Sequence, residues 1–133
     1  DIVDTLSFFD SWEDRYRYLI QIGRKLESYP EEYRDGDHLV PGCLSQVWLV
    51  SLGISDEGEM NLRADSDAHI VKGLIALLFM MYANKTAAEI LLVDIEGLFE
   101  KLNLGKHLSV NRRNGFYSMS HKIREHASNA IAG

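Results

Sequence analysis

The sequence predicts an α+β fold in which a small antiparallel β-sheet packs against several α-helices. Two observations carry this. The strand-like stretches, 46–54 and 59–64, fall in one block and the helix-like stretches in separate blocks around it, without the strand–helix alternation of a parallel sheet. At 133 residues, with no visible linker or internal repeat, the chain has the size of one unit, so residues 1–133 read as a single domain. A content of 46% hydrophobic and 26% charged residues, with two prolines and no repetitive tract, predicts a chain folded nearly throughout.

The elements follow in order. "DIVDTLSFFD" reads as a short helix, and a clearer one follows with Ser11 as N-cap and Asp14 in the capping-box position. Trp12, Tyr16, Leu19, Ile20, Gly23 and Leu26 recur at helical spacing, giving that helix one face for a core. "ESYPEEYRDGDH", residues 27–38, combines proline, glycine and acids and predicts a loop with one helical turn. From Gln46 to Ile54 β-branched and aromatic residues predict a strand. Glu59 to Ala64 alternates, with Met60, Leu62 and Ala64 on one side, and "SDEG" (55–58) supplies the turn between the two. A long helix from Asp67 to Tyr82 is apolar on nearly all sides from Ile70 onward, as expected of a helix lying across a sheet, and Asp67 reads as its cap. Two shorter helices are expected over Thr86–Leu92, capped by Thr86 with Glu89 three residues on, and over Ile95–Leu102. The last helix starts near Ser109, with Phe116, Met119, Ile123, Ala127 and Ile131 facing inward and Arg112, Arg113, Lys122, Arg124 and Glu125 on the other face.

Several function classes find no support. A formal charge of −6, with no aromatic-rich basic stretch, disfavours nucleic acid as a partner. The longest apolar run, Gly73 to Tyr82, is about half of what a membrane span needs, so no membrane association is expected. The start carries no charged-then-apolar signal pattern, and one cysteine makes no internal disulfide, so a cytoplasmic setting is expected. His38, His69, His107, His121 and His126 form no metal-binding spacing and no cluster with a second cysteine, and no metal is expected. There is no glycine-rich phosphate loop. Asp65 and Asp67, one residue apart, could do acid–base work, but capping suits Asp67 better.

Cys43 stands out by its setting, "VPGCLSQVW" (40–48). A lone cysteine is usually a small buried hydrophobe. Here Gly42 permits backbone conformations that other residues would block, Pro41 stiffens the entry, and Ser45 and Gln46 place polar groups nearby. A thiolate in such a loop can attack sulfur bonded to sulfur and so acquire a persulfide. No lysine or arginine occurs between Asp35 and Leu62, and Leu39, Val40, Leu44, Val47 and Trp48 flank the thiol. A shielded, protonated thiol is therefore expected, on a 38–45 loop that swings outward about Gly42.

The stretches "WEDRYRYLIQIGRKL" (12–26), "VPGCLSQVWL" (40–49), "DSDAHIVKGLIALL" (65–78), "LFEKLNLGKHLS" (98–109) and "NRRNGF" (111–116) together resemble the SufE family, sulfur-acceptor proteins that work with cysteine desulfurases in iron–sulfur cluster assembly. The resemblance runs from about Trp12 to Ala127. It implies a fold similar to IscU-type scaffolds and a role for Cys43 as the residue that takes sulfur. Ala64 stands where the family commonly has glycine, and Asn111, Arg113 and Phe116 depart from its usual pattern, whereas Arg112 and Gly115 are retained. By this resemblance the protein is a persulfide carrier and activator for a SufS-like or CsdA-like desulfurase. The resemblance implies delivery to a SufBCD-like scaffold or, as in related CsdE proteins, service to a sister system. By the same resemblance pyridoxal phosphate would belong to the partner, and no cofactor is expected on this chain. Gly42, Ser45, Gln46, Asp65, Asp67, Arg112 and His38 are the candidates for support or docking around Cys43.

Two readings from other classes remain open. A cysteine hydrolase needs a histidine within reach of Cys43 and a third orienting group; His38 is near in sequence, but no third member is identifiable. A binding module without chemistry would leave Cys43 as buried packing.

Overall fold

The computed structural model describes residues 2–43, 45–82 and 84–132. Leu44, one of the expected shielding residues, lies outside them, as does Asp1 of the first predicted helix. Helix α1 spans Ile2–Ser7 and α2 spans Trp12–Gly23; strands β1 (Val47–Ile54) and β2 (Met60–Ser66) follow, then α3 (His69–Tyr82), α4 (Ala87–Leu91), α5 (Ile95–Lys101) and α6 (Val110–Ala132). The α+β class holds: among the described residues, six helices surround one two-stranded antiparallel sheet.

Local chemistry explains most boundaries. The Ser11 hydroxyl accepts the Asp14 N–H at the start of α2, and Thr86 with Glu89 forms a reciprocal capping box at α4. Asp94 caps α5 by accepting from the Gly97 N–H. The 27–38 loop contains two short 3₁₀ turns, Glu31–Tyr33 and Gly36–His38, where one was expected. The hairpin closes through Ser55–Gly58, with Gly58 at φ +84°, and a bulge near Gly53 shifts the register before Ile54 pairs with Met60.

The register pairs Val47 with Ser66, Leu49 with Ala64 and Ser51 with Leu62, and this side packs toward the helices. Helix α3 is the central element, burying Leu74, Ile75, Leu77, Leu78 and Met81. It crosses α2 at a glycine pair, where a Cβ on Gly73 would lie 2.5 Å from the Leu19 carbonyl oxygen and one on Gly23 would lie 2.6 Å from the Gly73 nitrogen. The opposite side of the sheet is covered by the 27–38 loop. Arg34 lies over the Trp48 ring and pairs with Asp65 at 2.9 Å, while Arg63 pairs with Glu27 at 2.6 Å.

Three expectations need correction. Helix α3 starts at His69, and Asp67 does not cap it: its carboxylate accepts the Gln46 N–H at 3.1 Å, bonding instead to the residue that leads into β1. Strand β2 runs two residues past Ala64, because Asp65 and Ser66 find partners across the ladder in Trp48 and Val47. Ile131 is exposed, as α6 has run past the core by its last turn.

Candidate functional site

Cys43 sits between the 3₁₀ turn ending at His38 and the start of β1. The chain reaches it by a short antiparallel contact, Leu39 opposite Trp48, in which the Val40 N–H donates to the Val47 carbonyl. Gly42 then adopts φ +83°, a left-handed conformation that favours glycine. Downstream, the bonds between Gln46 and Asp67, N–H to carboxylate and N–H to carbonyl, fix where the strand begins. The thiol is thus held between two anchored ends.

The thiol is half-buried, with Sγ 3.8 Å from the Gly115 carbonyl oxygen in α6, at the long end for a weak S–H donor. Burial pushes its pKa up, so at neutral pH it is protonated. It opens onto a cavity of about 420 Å³. Val47, Val71, Leu74, Phe116 and Met119 make the apolar walls; Ser45, Ser109, Asn111 and Arg112 supply the polar groups. Among the described residues the exposed Arg112 guanidinium has no hydrogen-bond or ion-pair partner, while the Arg112 backbone N–H donates to Ser109 Oγ at 3.2 Å. Chemically, this is a nucleophile kept neutral, beside space for added atoms and an uncommitted positive charge.

The candidate residues divide into two groups. Ser45 and Arg112 line the cavity with Cys43, while Gly42, Gln46 and Asp67 shape its loop. Asp65 and His38 are held elsewhere. Asp65 faces the other side of the sheet; desolvation raises its pKa, but the Ser66 N–H, Arg34 and Lys72 outweigh it and hold the carboxylate below its ordinary range. The His38 Nδ1 lies 2.7 Å from Asp35 and its ring packs on Tyr33, and no histidine lines the cavity among the described residues. A cysteine–histidine pair for hydrolysis therefore has no geometric basis here. No cluster of three or more metal-ligating side chains occurs among the described residues, and none of their helices is long and apolar enough to cross a membrane.

Sequence reasoning did not place Ser109 or Asn111 in the site, and it put Arg112 on the face of α6 opposite Phe116. In the fold Arg112, Gly115 and Met119 form one stripe at spacings of three and four along the cavity wall. That spacing was legible; the small residue at its centre hid it.

The chain matches the SufE family, described as an Fe-S metabolism associated domain, over residues 1–127. An uncharacterized SufE-like protein of Rhizobium meliloti is 41% identical over 132 residues, covering 98% of this chain and 94% of its own. One of Rhizobium etli is 45% identical over 128 residues, covering 95% and 86%. The solution structure of a hypothetical protein from Thermus thermophilus shares the fold, with a TM-score of 0.81 at 16% identity, covering 99% of this chain and 94% of that one. The family match and the relatives show that the chain belongs to the SufE family, a family of iron–sulfur metabolism.

Proposed function

We propose that the protein accepts and carries sulfane sulfur on Cys43 in iron–sulfur cluster assembly. The observation that supports this best is the half-buried thiol opening onto a cavity with apolar walls. The donor is a pyridoxal-phosphate cysteine desulfurase, SufS-like or CsdA-like, carrying a persulfide on its own cysteine. The Cys43 thiol loses its proton, and the thiolate attacks the outer sulfur of that persulfide. A bond forms between Cys43 Sγ and the transferred sulfur, and the bond to the enzyme's sulfur breaks, leaving the enzyme thiolate free for another turnover. Removing the enzyme's persulfide stimulates the desulfurase. A SufBCD-like scaffold is the next acceptor, since one cysteine can carry sulfur but cannot by itself hold a cluster.

The residues around Cys43 have separable roles in this reading. The added sulfur sits about 2 Å beyond Sγ, a small demand on the cavity volume, and its apolar walls keep competing nucleophiles and oxidants away. Asp67 and Gln46 hold the loop, Gly42 absorbs its movement, and Arg112 offers a carboxylate on the partner a docking point. The protein supplies no cofactor; the pyridoxal phosphate is the partner's.

The test is to mix the protein with SufS-like and CsdA-like desulfurases and free cysteine, then measure intact mass. Uptake of sulfur at Cys43, together with faster desulfurase turnover, is the expected result.

A further inference from the structure

The thiol loop rests on α6 at two points one helical turn apart. Cys43 Sγ lies against Gly115, where a Cβ would come within 3.4 Å of the sulfur. The preceding residue, Gly42, lies over Ser118, such that a Cβ on Gly42 would be 3.0 Å from Ser118 Oγ. Residues three apart share a helix face, so Gly115 and Ser118 form one shallow track under the loop. Gly115 itself is buried, and its carbonyl is the thiol's acceptor.

We infer that Gly115 and Ser118 are positioning residues for Cys43: the small side of α6 is the seat that keeps the resting thiol against the helix and half out of solvent. The inference rests on the reading of Cys43 as the reactive sulfur, and adds what holds it between transfers. Space is the operative property. At Gly115 a single methyl would just touch the sulfur, and the further methyl groups of a valine add bulk beside it. At Ser118 the hydroxyl faces the space that a Cβ on Gly42 would occupy, so a longer side chain there would push into the loop and lift it.

The test compares Gly115→Val, Ser118→Leu and Ser118→Ala with the wild-type protein. Cys43 alkylation by iodoacetamide is followed against pH, with circular dichroism and thermal melting to confirm folding. Burial holds the thiol's pKa up, so lifting the loop moves the midpoint of the pH profile down toward that of the unfolded peptide and raises the rate severalfold at neutral pH. Both effects are expected for Gly115→Val and Ser118→Leu. Ser118→Ala, which only removes an atom, is expected to follow the wild-type profile, showing that space and not the hydroxyl matters. Should Gly115→Val fail to fold, Ser118→Leu carries the test, since position 118 is only partly buried and leucine favours helix. A folded Ser118→Leu protein with an unchanged profile would overturn the seat. Sulfur uptake measured on the same samples by intact mass separates the two ideas: a shifted profile without uptake by the wild type supports the seat and removes the carrier reading, whereas uptake with an unshifted profile does the reverse.

Discussion

At Asp67 a carboxylate that local sequence assigns to a helix cap bonds instead to the backbone leading out of the Cys43 loop. Position before a helix-like run suggests capping, but the antiparallel pairing of β1 with β2 brings Gln46 alongside, and its N–H is the donor that the carboxylate meets at 3.1 Å. A contact across 21 residues is invisible to local pattern. Cys43 was easier to read: its glycine and apolar flanks predict a shielded thiol, and burial does push its pKa up. His38 and Asp65 misled for the opposite reason, since nearness in sequence to Cys43 or Asp67 says nothing of which side of the sheet a residue faces. Asp67→Ala, by removing the acceptor for the Gln46 N–H, should cost about 0.5–1.5 kcal/mol and make Cys43 alkylate faster at neutral pH. Urea titration and thiol labelling of the same preparation measure both; unchanged labelling would mean that Asp67 does not hold the loop.

Among the elements, α2 and α3 show how packing overrides propensity. Gly73 lies inside α3, where glycine is less favourable than alanine by about 1 kcal/mol, and Gly23 ends α2. Their reward is close approach: the two helices cross where a Cβ on Gly73 would penetrate the Leu19 carbonyl. Gly73→Ala should therefore destabilise the fold by about 1–3 kcal/mol, the usual range for overpacking, despite the gain in helix propensity. A shift of the urea midpoint to lower concentration checks the sign, and a more stable variant would show that the crossing relaxes freely. Hydrophobic periodicity and the caps at Ser11 and Thr86 made the helices legible, whereas the helix crossing is a property of two segments that sequence patterns treat separately.

The whole molecule assembles the cavity from parts far apart in the chain: the Cys43 loop and β1, α3 through Val71 and Leu74, and α6 from Arg112 to Met119. The α+β class followed from the order of elements, but the cavity depends on how α6 docks, which no single stretch encodes. Its lining includes the exposed Arg112 guanidinium, unpaired among the described residues and, in the proposed function, the docking point for a partner's carboxylate. Arg112→Ala should weaken desulfurase binding by about 1 kcal/mol or more if that pair is desolvated, with sulfur transfer at saturating protein retained. Calorimetric titration reads this, and unchanged affinity would remove Arg112 from the interface. In the proposed mechanism Cys43 Sγ is the atom that receives sulfur. Wild type and Cys43→Ser, each incubated with the responsive desulfurase and free cysteine, should differ in one way by intact mass: sulfur added to the wild type and none to the variant, with stimulation of the desulfurase lost in parallel. A folded Cys43→Ser protein that still stimulates fully, or a wild type that never gains sulfur while stimulating, would contradict the carrier mechanism and leave activation by binding alone.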